Sequence, residues 1–108
     1  MNDKRLELHE ILCEIINITE PDGDRHSYFD PPMELNMKFP AIRYKRTAIE
    51  PVYANNIAYM HRTPYELILI DKKPDSEYVL KLLALPYCRH TRHYTANNLH
   101  HDVFRIYY

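Results

Sequence analysis

Four histidines, His90, His93, His100 and His101, crowd into the last fifth of a 108-residue chain that has seven in all, and imidazoles so close together pose the question of a metal site. Strand geometry limits the answer. Neighbouring strand residues project from opposite faces, so His90 and His93 diverge, as do His100 and His101. A hairpin turn centred on Asn97 sets His93 across from His101. A two-residue turn on Asn97 and Asn98 sets His93 across from Asp102 instead. Either arrangement offers two or three ligands, whereas structural zinc takes four, usually with thiolates among them. Surface or cross-strand histidines are therefore the expected reading, with no metal and no other cofactor. His93, His101 and Asp102 are the residues a small metal enzyme would have to use.

Other chemistry is thinner. Asp22, Gly23 and Asp24, preceded by Glu20, resemble a fragment of a calcium loop but lack the later ligands and the closing bidentate glutamate, so a solvated turn is expected. Gly23 is the only glycine, which excludes phosphate-cradling loops that need several. Neither Ser27 nor Ser76 lies in a Gly-x-Ser-x-Gly elbow. Asp102 and His101 could exchange protons, but nothing marks a substrate pocket around them. No catalytic residue is assigned, and an enzyme is not expected. Cys13 and Cys88 are far apart among apolar or strand-like neighbours and read as free thiols. No apolar run approaches the ~18–20 residues of a membrane span and no leader pattern is visible, so the expectation is a soluble chain made in a reducing cytoplasm.

The basic residues carry the stronger signal. Arg43, Lys45 and Arg46, then Arg89, Arg92 and Arg105, alternate with tyrosines on predicted strands. Such a face could hold nucleic-acid phosphates or another subunit. Ten tyrosines, no tryptophan and a net charge of −1 favour a subunit interface, where Tyr and Arg are enriched. The interface candidates are Arg43, Lys45, Arg46, Tyr53, Tyr59, Arg92 and Arg105. Charge is also split along the chain. Residues 1–37 hold nine acids and three bases, net −6, while 38–108 hold six acids and eleven bases, net +5. That suits head-to-tail contact between copies, unless the fold intermixes the halves and cancels the asymmetry.

These residues need elements to position them. Leu8, Ile11, Leu12, Ile15 and Ile16 recur at helical spacing, with Glu7, Glu10 and Glu14 opposite and Asp3 available as a cap. Residues 20–38 lack periodicity and read as an extended connector that docks by its aromatic side chains. Strand alternation begins at FPAIRYKR, and 49–62 reads as a hairpin around Asn55 and Asn56. Within it, 51–60 forms a candidate projecting arm because Pro51 cannot join a ladder. TPYELILID is the most apolar strand and should run through the middle of the sheet. Val79, Leu80, Leu82, Leu83 and Leu85 form the apolar face of a second helix with acids in its first turn, ended by Pro86. Two strands around Asn97 and Asn98 complete a single α+β domain over 1–108, a mainly antiparallel sheet with two helices on one face, in the order α-β-β-β-α-β-β.

That order, together with the strings EPDGDRHSYFDPP (20–32), FPAIRY (39–44), DKKPDSE (71–77), LPYCR (85–89) and HDVFRIYY (101–108), resembles the tail terminator, or tail completion, proteins of long-tailed bacteriophages. The strings span most of the chain and none is a catalytic signature. The resemblance implies a structural virion protein of the tail or neck, made in the host bacterial cytoplasm. Its copies would form a hexameric ring that caps the tail tube protein and meets the head-closure or connector protein. It also implies that nucleic acid passes only through the ring lumen and that no membrane is involved. A head-closure protein, a minor tail protein and a small nucleic-acid-binding module are the alternatives.

Overall fold

In the computed structural model the described residues are 3–31, 38–47, 53–54, 57–58 and 63–108, with backbone alone for 3, 53, 54, 57 and 58. Helix α1 spans Asp3–Ile16 and buries Leu8, Leu12 and Ile16, one residue per turn. Asn17 ends it in the left-handed region (φ 55°), its N–H bonding back to Cys13 O at 2.8 Å, as a helix-terminating Asn can do with little strain. The capping role expected of the Asp3 side chain lies outside the described residues.

The sheet contains β1 (Ser27–Phe29), β2 (Ala41–Arg46), β5 (Pro64–Asp71), β6 (Cys88–Ala96) and β7 (Leu99–Tyr107), in the spatial order β1-β2-β5-β7-β6. All pairs are antiparallel except β1 with β2. As its composition predicts, β5 is central. The fold is α+β, and the two helices and the five strands of this sheet follow the expected order α-β-β-β-α-β-β. The connector is more than an extended link, because 27–29 adds a fifth strand parallel to β2. Three residues are too few to show a period, and the free edge of β2 is what recruits them. Polar groups hold the connector as much as aromatic ones do. The buried His26 ring lies 2.7 Å from Pro40 O and 2.8 Å from a Glu20 carboxylate oxygen. The Tyr28 hydroxyl donates to Asp24 at 2.8 Å.

Two residue pairs, Tyr53 with Ala58 and Ala54 with Ile57, join β3 (Tyr53–Ala54) to β4 (Ile57–Ala58) in a separate two-stranded sheet. The rest of the 51–60 arm, Tyr59 included, lies outside the described residues. Helix α2 (Tyr78–Leu83) departs from expectation. It is six residues long, has no acid in its first turn and buries only Leu82, while Leu80 and Leu83 face solvent. The leucines of 79–85 are too closely spaced for one and a half turns to bury them all. The helix stops at Leu83, three residues ahead of Pro86.

Register defines two faces. On the helix-covered face the cross-strand rows are Ile42, Leu69 and Asp102, then Tyr44, Leu67 and Phe104, then Arg46, Tyr65 and Ile106. Apart from the Asp102 and Arg46 ends, these side chains join Leu8, Leu12, Ile16 and Leu82 in the core. Burying each large apolar one stabilises the fold by about 1.5–3 kcal/mol relative to exposure. His9 Nδ1 and the Tyr44 hydroxyl, 2.6 Å apart, tie α1 to β2. Burial lowers the His9 pKa below 6.5 and raises that of Tyr44, so at neutral pH the hydroxyl donates to an uncharged imidazole.

Leu67→Ala should cost about 2–5 kcal/mol in urea unfolding, since it empties the centre of the sheet. Leu80→Ala, at a position 74% exposed, should change stability by less than about 0.5 kcal/mol. Because the folded chain holds His9 less basic than the unfolded one, its contribution is present above pH 6.5 and lost as pH falls below it. The urea midpoint should therefore drop between pH 7 and pH 5, and His9→Gln should flatten that drop.

Candidate functional site

The helix-free face of the sheet is where the basic side chains gather. Lys45, Glu66, Arg105 and Arg89 form one cross-strand row, and Arg43, Ile68, Val103 and Arg92 form the next. These two rows hold five cations against one carboxylate, Glu66. Beyond them Ala41, Ile70, His101 and Tyr94 make a third. The Tyr94 ring stacks on His101 at 4.7 Å and 11°, and the Arg92 guanidinium lies 5.5 Å from the Tyr94 centroid.

Of the interface candidates, Arg43, Lys45, Arg92 and Arg105 thus share this face. Arg46 does not, since it pairs with Tyr65 on the helix-covered side. Arg89, which is not among those candidates, also belongs to the face, placed there by its pairing with Arg105 across the hairpin. Arg105 is half-buried, with Nη2 3.5 Å from Thr47 Oγ1 and its guanidinium 5.6 Å from the Tyr107 centroid, so part of its role is packing. Tyr53 is placed by its backbone only, in β3.

The acids of α1 face away from the sheet. Glu7, Glu10 and Glu14 are exposed, with Glu10 paired to Arg25 at 2.9 Å and Glu7 accepting from the Tyr108 hydroxyl at 3.2 Å. The two halves of the sequence do pack together, yet the charge asymmetry survives between layers: acids on the outer side of α1, bases on the open side of the sheet.

Strand β6 forms one edge of the sheet, paired only with β7, and residues 89–95 are exposed. Asn97 and Asn98, both at positive φ (54° and 62°), make the two-residue turn that suits a twisted hairpin. His93 accordingly sits across from Asp102, the second of the two registers open to the sequence. The pairing shifts between His90 and Arg92, where Thr91 is an extra residue and its hydroxyl donates to Val103 O at 3.0 Å. That bulge corrects the alternation argument. It brings His90 and His93 to the same face, where His90 Nε2 (3.0 Å) and His93 Nδ1 (2.7 Å) both donate to Asp102 Oδ1. Asp102 is 6% exposed, so these bonds satisfy a carboxylate that burial would otherwise penalise. His101 faces the other side, away from His93, so those two share no site.

Both cysteines are free, Cys13 buried in α1 and Cys88 at the start of β6. Burial raises the thiol pKa of both, that of Cys88 to about 11. Among the described residues no helix is long and apolar enough to cross a membrane.

The chain matches no family model, no curated protein and no solved structure.

At pH 8 only about one Cys88 thiol in a thousand is ionised. Alkylation by iodoacetamide should therefore be at least tenfold slower in the native protein than in urea, read by mass spectrometry at each cysteine.

Proposed function

We propose that the chain is a structural subunit of the tail or neck of a long-tailed bacteriophage, a tail terminator whose copies join head to tail in a ring. The observation that carries this reading is the polarity between layers. An open sheet face bearing Arg43, Lys45, Arg89, Arg92 and Arg105 lies opposite a helix whose outer side bears Glu7, Glu10 and Glu14. A contact that joins two different surfaces repeats from copy to copy and closes into a ring when each step turns by a fixed angle. Opposite charges on those surfaces set the register of the contact and oppose the face-to-face pairing that would end the chain as a dimer. The β6 edge adds a nine-residue strand with no proline and one unpaired side, a second surface suited to a neighbour.

On this reading the partners are further copies, a tail tube protein on one side of the ring and a head-closure or connector protein on the other, in the virion. A second reading draws on the same face. Five cations with Tyr94 and Tyr107 nearby could lie along a nucleic-acid backbone, with the rings free to stack on bases.

Light scattering across a range of concentration and salt, followed by electron microscopy, separates the two. The ring reading expects a species of about six copies. Arg89→Glu with Arg92→Glu should shift its assembly to higher protein concentration, most strongly at low salt where screening is least. Arg46→Glu, on the other face, should have the smaller effect. Monomer throughout, together with salt-sensitive retention on DNA that the same double change abolishes, would favour the nucleic-acid reading.

A further inference from the structure

Beyond the Asp102 carboxylate, the helix-covered side of the β6–β7 hairpin holds two neighbouring imidazoles, one of which, His93, bonds Asp102 through Nδ1. His93 donates from Nδ1 to Asp102, which leaves the lone pair of a neutral ring on Nε2. That Nε2 stands 3.4 Å from His100 Nδ1, and Thr95 Oγ1 lies 3.3 Å from the same His100 nitrogen. His100 and His93 are part-exposed, so the gap between them opens to solvent.

Two imidazole nitrogens on one tetrahedral zinc, each about 2.0–2.1 Å from the ion, are about 3.3–3.4 Å apart. Neighbouring positions on an octahedral ion would bring them to about 2.9–3.0 Å at similar bond lengths. The 3.4 Å contact, across which one ring nitrogen donates to the other, matches the tetrahedral span and exceeds the octahedral one. Asp102 supplies what such a site needs behind it, a carboxylate that fixes the ring orientation and tautomer of a ligating histidine and raises its basicity. His100 becomes a ligand by carrying its proton on Nε2 in place of Nδ1, so a neutral pair releases no proton on binding. Among the described residues no group of three or more His, Cys, Asp or Glu side chains is arranged to hold a metal ion. The site therefore has two protein ligands, and water fills the other positions.

We propose that His93 Nε2 and His100 Nδ1 form a two-point site for a divalent transition-metal cation of the Zn²⁺ class, with Asp102 as the positioning residue behind His93. The site is independent of the ring reading, since it lies on the helix-covered side of the hairpin and not on the basic face.

The test is titration of the metal-free protein with Zn²⁺ at pH 7.5 by calorimetry, with the ring resonances of the histidines followed by NMR. One ion per chain should bind, with shifts concentrated at His93 and His100. His93→Gln and His100→Gln should each weaken binding at least tenfold, and Asp102→Asn by about 10–100-fold. His101→Gln, on the opposite face, should leave affinity unchanged. Circular dichroism of the exposed-site variants His93→Gln and His100→Gln checks that they stay folded. No binding to the parent protein, or affinity that survives both of those changes, would overturn the proposal.

Discussion

Strand β5 is central and buries its whole helix-facing row, and the rest of the molecule follows from that constraint. A central strand with Leu67 and Leu69 under the helices and Ile70 on the open side tolerates no slip, because a shift by one residue would exchange every inward and outward side chain of β2 and β7 with it. Once β5 is held, its neighbours are in register: β2 presents Ile42 and Tyr44 to α1, and β7 presents Phe104 and Ile106. The same parity sends Arg43, Lys45 and Arg105 to the open side. The basic face is a consequence of the core, since the residues between buried ones have nowhere else to point.

The β6–β7 hairpin extends that logic until a single extra residue changes it. Before the Thr91 bulge, even-numbered residues of β6 face the helices; after it, odd-numbered ones do. The change keeps His90, His93 and Thr95 on one side with Asp102 and His100, and leaves Arg89, Arg92 and Tyr94 on the other. His90, His93 and His100 are thereby separated from the arginines of the hairpin, and His101 alone of its histidines stays on the arginine face. Asp102 occupies the position in its row where an apolar side chain would extend the core, and two ring N–H groups satisfy it there. A buried carboxylate at the core boundary thus couples the packing of the sheet to the orientation of two imidazoles.

Much of this was legible in the chain. The heptad-like spacing of α1, the alternation in β2, the apolar run of β5 and the Asn97 and Asn98 turn each carry a period or a backbone preference strong enough to read locally. The basic face was legible in outline, since alternation sends Arg43 and Lys45 to one side of β2, away from Ile42 and Tyr44. What escaped had no local signal. The three residues of β1 pair because β2 offers an edge, and α2 is only six residues long with Leu82 its one fully buried side chain.

The sequence by itself determined the class of fold, the central strand and the free state of Cys13 and Cys88, because hydrophobic periodicity and cysteine spacing act over a few residues. Tertiary structure decided which polar residues meet. The alternation rule separates His90 from His93, and only the cross-strand bond from Thr91 to Val103, with Asp102 waiting on the partner strand, shows why the chain departs from that rule. A bulge depends on residues a dozen positions away, and so the histidine cluster exists in three dimensions while its spacing in the chain argues against it.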